Sequence, residues 1–179
     1  MTNLSEGIPR KVLHLIDTGG PGGAETVFMR LAAAFRDGGW SSVACVSREG
    51  WLSQQLRDVN LSPTIVPSRN VPGRRYLAGL IRLIRAERPD LIIAHLFGAS
   101  VYACLAGLVT RTPVISVLHG QTDLAGDHRG FWVKRKALQS CSSVVFVAES
   151  LREEVQPVLK LDSSRSLVIP NGVDTERFS

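Results

Sequence analysis

KVLHLIDTGGPGGAETVFMRLAAAF, residues 11–35, places an apolar run before an amphipathic one and crowds Gly19-Gly20-Pro21-Gly22-Gly23 between them. KVLHLI is apolar almost throughout, the pattern of a short strand buried on both faces. From Ala24 to Asp37 the apolar residues Val27, Phe28, Leu31 and Phe35 recur at helical spacing, and Gly38-Gly39 marks the stop. Strand, glycine turn and helix in that order form the unit from which parallel sheets are built.

The rest of the chain repeats that alternation. SSVACVS (41–47), PTIVP (63–67), DLIIAH (90–95), PVISVLH (113–119), SSVVFVA (142–148) and SLVIP (166–170) read as strands. Helices are expected over 51–59, 74–87, 99–109 and 131–140, and after residue 148, where Ser150 and Glu153 suggest a capping box. On the 74–87 helix Leu77, Leu80 and Ile84 share one side, and Arg74, Arg75, Arg82, Arg85 and Arg88 share the other. These signals predict an α/β fold: a doubly wound, mainly parallel Rossmann-like sheet with helices on both faces. In such sheets ligands sit beyond the carboxyl ends of the strands. Three features fall there: the glycine loop, His95 and His119.

Composition sets the bounds. At 179 residues the chain suits one well-buried domain. A net charge of +5 favours acidic partners. The basic residues lack interleaved aromatics and no recognition motif appears, which argues against nucleic acid. Cys45, Cys104 and Cys141 have no metal-type spacing, and Cys45 and Cys104 lie in apolar runs. A reduced, cytoplasmic compartment fits. The polar N-terminus lacks a signal-peptide core, and no run reaches the ~20 apolar residues of a membrane span. His14, inside the first strand, is expected to be a hydrogen-bonded core residue, and His128 to be solvated.

Glycines give the backbone positive-φ freedom and let a ligand approach, and a helix N-terminus adds free N–H groups and partial positive charge. The loop therefore suits a phosphate or diphosphate. No Gly-Lys-Ser/Thr follows it, so it is not a P-loop. As a dinucleotide fingerprint it fails at the third glycine, where Glu25 stands. The second strand ends at Ser47-Arg48, so an NADP-binding reductase remains an alternative, with Arg48 toward a 2′-phosphate. Glu25 itself reads as a first-turn acid that favours the helix dipole.

Four segments carry a family resemblance. Residues 11–35 resemble the opening of retaining glycosyltransferases of the GT-B fold, family four. PDLIIAH (89–95) is similar to that family's Pro-Asp-apolar-His strand, and PVISVLHG (113–120) to its Pro-apolar-His-Gly strand end. VIPNGVDTERF (168–178) resembles the passage from its first domain into its second. Where the family has a serine cap this chain has Ala148, so the start of the following helix is expected to shift to a Ser150 cap.

The resemblance implies an acceptor-side domain over residues 1–170, the start of an interdomain linker at 171–179, and a donor-binding domain outside this chain. It implies transfer of a sugar from a UDP- or GDP-sugar to a hydroxyl acceptor, a sugar or lipid-linked molecule, with retained configuration. The nucleotide-sugar is a co-substrate; no cofactor and no metal are expected. His119 would be catalytic, Gly20, Gly22 and Gly23 would meet the donor phosphates, and His95, Gln121 and Thr122 would line the acceptor site. Asp123 begins the same loop. The arginine face, with Lys134, Arg135 and Lys136, would suit peripheral contact with an anionic membrane. A non-catalytic single-domain binding module is the other alternative.

Overall fold

The computed structural model describes residues 10–120 and 131–172. Its strands form a 7-stranded sheet with every described pairing parallel. In chain order they are β1 (Lys11–Ile16), β2 (Ser41–Val46), β3 (Pro63–Ile65), β4 (Leu91–His95), β5 (Val114–Leu118), β6 (Ser143–Phe146) and β7 (Ser166–Val168). Their spatial order is β3-β2-β1-β4-β5-β6-β7. The chain winds outward from β1 through β2 to β3, crosses back, and winds outward from β4 to β7, which makes β1/β4 the switch point.

The connecting helices are α1 (Gly23–Asp37), α2 (Trp51–Asp58), α3 (Gly73–Glu87), α4 (Phe97–Thr110), α5 (Phe131–Gln139) and α6 (Glu149–Leu159). Alternate strand residues explain the continuous apolar runs. Leu13, Leu15, Ile92 and Ala94 face the core built with α3–α6. Ile16, Ala44 and Val46 face Phe28 and Ala32 of α1 and Leu52 and Leu56 of α2. Beyond α1 on that second face, Val12, Ile93, Val117 and Val145 form a thinner cluster with Leu31 and Phe35. A largely apolar groove of about 320 Å³ opens there, floored by β4–β6 and reaching Gly172. All three cysteines are buried and free.

Most expected elements are present, with differences at helix starts. α1, α3 and α4 begin at Gly23, Gly73 and Phe97, earlier than the apolar spacing indicates, and none has a side-chain cap. The Ser150 capping box does not form. Ala148 is the extended N-cap, α6 begins at Glu149, and Glu149 instead pairs with Arg152 one turn on. An extended backbone at residue 148 starts the helix without a hydroxyl, so the expected shift does not occur.

α4 lies close on the sheet through small residues, and Gly107 sets the limit. A Cβ there would stand 2.6 Å from Cγ2 of Val114 and 2.7 Å from the Thr112 carbonyl oxygen. The carbonyl is backbone and cannot rotate away. Gly107→Ala is expected to cost about 1–3 kcal/mol of stability in denaturant unfolding. An unchanged unfolding midpoint would contradict this packing.

Candidate functional site

The site is built by register. Ile16 of β1 pairs with His95 of β4, and His95 with Val117 of β5, so the ends of these strands lie level. The glycine loop leaves β1 there, and His119 follows β5 by one residue. Gly22 is the N-cap of α1, with extended φ −176° and ψ 167° and no side-chain cap. Thr26 closes the first turn onto the Gly22 carbonyl, by backbone N–H at 3.0 Å and hydroxyl at 2.9 Å.

Among the described residues positive-φ glycines occur only at Gly39 and Gly50, so the loop glycines are not there for left-handed backbone. Space is the reason instead. A Cβ on Gly22 would run into Oε2 of Glu25, and one on Gly19 would stand 3.1 Å from Cγ of Arg48. Gly20 and Gly23 meet nothing within 4 Å. They leave the uncapped N-terminus of α1 open to a ligand.

His95 and His119, separate candidates in the sequence, are brought together. Nδ1 of His95 and Nε2 of His119 are 3.0 Å apart, and the rings stack at 5.3 Å and 20°. His95 is fully buried, set edge-on to Phe28 of α1, and its Nε2 has no partner among the described residues. Burial, then the neighbouring His119 and His14, holds its pKa well below the ordinary histidine value. Burial also lowers that of half-buried His119, against the pull of Glu25, whose charge favours the protonated ring. Both rings are therefore neutral near pH 7, each carries one N–H, and one donates to the other.

Glu25 is the residue the sequence reading undervalued. It is buried, its carboxylate folds over Gly22, and its charge reaches His119. It links the glycine loop to the histidine pair. The signal was its place in the third position of α1, from which a glutamate reaches back over the N-cap residue.

His14 corrects another expectation. It is a core residue, but neither ring nitrogen has a partner among the described residues. It sits edge-on to Phe35 at 5.3 Å and Phe28 at 6.2 Å, and burial lowers its pKa to about 4. The apolar wall of α1 offers it no acceptor.

Gln121, Thr122, Asp123 and His128 lie outside the described residues, as do 173–179 of the expected linker. Arg74, Arg75, Arg82, Arg85 and Arg88 are all exposed, as is Lys136, while Lys134 and Arg135 are half-buried. Trp132 beside them on α5 is 67% exposed. Among the described residues no group of three or more His, Cys, Asp or Glu could hold a metal ion, and no helix is long and apolar enough to cross a membrane.

Comparison with known proteins adds a family. The profile described as Glycosyltransferase Family 4 matches residues 21–177. No curated protein sequence matches the chain. Among solved structures, Alr3699/HepE of Anabaena in complex with UDP-glucose is similar, with TM-score 0.78 and 22% identity over 93% of this chain and 45% of that one. A glycosyltransferase of Rickettsia africae gives TM-score 0.80 and 16% identity over 96% and 45%. The lipopolysaccharide outer core galactosyltransferase WaaB gives 0.71 and 14% over 92% and 46%. At these identities the likeness is one of fold, and the chain spans less than half the length of each.

Proposed function

Because the chain belongs to Glycosyltransferase Family 4, we propose that it is the acceptor-side domain of an enzyme that moves a sugar from a UDP- or GDP-sugar to a hydroxyl acceptor, retaining the anomeric configuration. The observation that carries this reading is the N-terminus of α1, without a capping side chain at Gly22 and with free space at Gly20 and Gly23, on the edge that carries the neutral His95–His119 pair. A departing nucleoside diphosphate gathers negative charge, and preorganised N–H donors aimed at that charge lower the barrier. Gly20 and Gly23 leave room for that approach, and no metal is called for in this reading. HepE supports the nucleotide-sugar donor through its UDP-glucose complex, and WaaB supports glycosyl transfer through its galactosyltransferase name.

In this scheme His119 faces the reacting sugar as a hydrogen-bond partner, and His95 positions it. Glu25 occupies the space over Gly22 and turns aside as the diphosphate enters, since two anions in one cradle repel. The donor is held mainly by a complementary domain outside this chain. The isolated 179-residue chain therefore binds nucleotide-sugars weakly and transfers nothing; transfer by it alone would overturn this division of labour.

Gly23→Val tests the phosphate role. A Cβ at residue 23 would meet nothing within 4 Å, so the fold is expected to survive. In the complete enzyme kcat/KM for the donor is expected to fall by about 10²-fold, the scale of one lost oxyanion-type donor. Unchanged turnover would remove the loop from the donor site.

A peripheral, cytoplasmic location on an anionic membrane is part of the same proposal, carried by the arginine face of α3 and by Trp132 with Lys136 on α5. Each cation near such a surface contributes on the order of 1 kcal/mol. Sedimentation with anionic vesicles at low salt, and release at high salt, is the expected result. Equal behaviour with neutral vesicles would remove the membrane from the proposal.

A further inference from the structure

A second cavity opens at the same edge of the sheet, on the side of α3 and α4. It measures about 350 Å³ and is lined by Asp17 and Thr18 after β1, Ser68 and Arg69 before α3, and Gly73, Tyr76, Leu96 and Tyr102. We infer that this pocket takes the acceptor, and that its occupant is a hydroxyl-rich ring bearing an anionic substituent. This rests on the transferase reading above and adds the chemistry of the acceptor.

Two hydroxyls point to a ligand. Tyr76 is 3% exposed and its hydroxyl has no partner among the described residues; the Thr18 hydroxyl is likewise buried and unpartnered. Burying such groups unpaired is costly, and a ligand's oxygens would satisfy them. Burial, with Cys45, Asp17 and Tyr102 nearby, raises the Tyr76 pKa, so the phenol stays a donor at all ordinary pH.

The rim supplies positive charge. α3 is 15 residues long and starts at Gly73 behind Pro72 without a side-chain cap. Its first N–H groups and dipole favour an anion, and Arg69 stands exposed beside them. A Cβ on Gly73 would strike the Tyr102 hydroxyl, so any larger residue there would have to displace that ring from the pocket wall. The Asp17 carboxylate is turned toward Gly98 at the start of α4, and the Tyr102 ring offers the pocket an apolar surface. One guanidinium at a helix N-terminus, neutral hydroxyls and an aromatic ring match a polyol with a charged arm better than a bare phosphate or a neutral alkyl group. The volume lies within the range of small-molecule sites.

Leu96 ties the pocket to the chemistry. It is a non-glycine residue at φ +71°, held by its N–H to the Val117 carbonyl at 3.0 Å. Such a conformation persists only where its surroundings impose it. The turn sends His95 toward Phe28 of α1 while Leu96 walls the pocket, so one strand end serves both sides.

The test uses the whole 179-residue chain and amide chemical shifts at Thr18, Gly73 and Leu96, titrated with glucose, glucose 6-phosphate, glucuronate and inorganic phosphate. Both anionic sugars are expected to bind about tenfold or more tighter than glucose or inorganic phosphate, the scale of one charge-assisted contact. The stronger of the two identifies phosphate or carboxylate as the substituent. Arg69→Gln, on an exposed side chain, should bring them to the level of glucose. Tyr76→Phe, which removes only the hydroxyl, should weaken all sugars alike. Silent amides with every probe, or binding indifferent to Arg69→Gln, would overturn the inference. The assay needs no donor. A filled pocket in this chain while the complete enzyme transfers no sugar would therefore sink the transferase reading alone, and transfer by the complete enzyme with a silent pocket would sink this one alone.

Discussion

Alanine at position 119 is expected to lower kcat of the complete enzyme by about 10²–10³-fold, the range for losing one hydrogen-bond partner positioned at the reacting centre. Folding should survive, because His119 is only half-buried and its contact is with another side chain. The pH profile sharpens the test. Burial lowers the pKa of His119, so the neutral ring predominates at pH 7 and is lost only as pH falls below about 6.5. The acid limb of kcat/KM should lie below that pH. Glu25 raises the proton affinity of His119, so Glu25→Gln should move the limb to lower pH. A limb that stays in place, or activity only when the ring is protonated, would contradict the assignment, as would a His119→Ala enzyme with wild-type kcat.

The second large effect is on stability. His14 has its pKa lowered from 6.5 to about 4 by burial. The unfolded chain therefore binds this proton more readily than the folded one. Stability from His14 is fully present above about pH 6.5 and is lost as pH falls toward 4. The full shift corresponds to about 3 kcal/mol, at roughly 1.4 kcal/mol for each tenfold change in proton affinity. His14→Leu keeps the volume and removes two unpartnered buried nitrogens. It should raise stability at pH 7 by about 1–3 kcal/mol and flatten its fall between pH 6.5 and 4. Denaturant unfolding across that range checks both, and an equally steep fall in His14→Leu would refute the assignment.

The strands were legible because burial on both faces leaves runs such as Val12–Ile16 and Leu91–Ala94 almost wholly apolar. Helix starts were less so. Gly23, Gly73 and Phe97 open helices without a capping side chain, and propensity has no signal for an end held by its surroundings. Tyr76 was overlooked although it stands four residues before Leu80 and belongs to the same buried stripe. The histidine contact depends on the register of β4 against β5, across 24 residues of chain, and no local pattern encodes it. Glu25 was visible as a first-turn acid, yet its charge acts on His119 only because β5 carries that histidine to the same edge. The glycine loop was found for partly the wrong reason, since none of its glycines has left-handed backbone; Gly19 and Gly22 lie against Arg48 and Glu25, while Gly20 and Gly23 border open space.

The two outermost strands, β3 and β7, are each 3 residues long, and β3 begins with a proline. A foreign strand docking on either would find few backbone partners, and on β3 would meet Pro63, which has no amide hydrogen to offer. Sheet-to-sheet polymerisation is therefore blunted at both margins. Self-association at high concentration should start from the apolar floor of β4–β6, and its aggregates should bind amyloid dyes poorly.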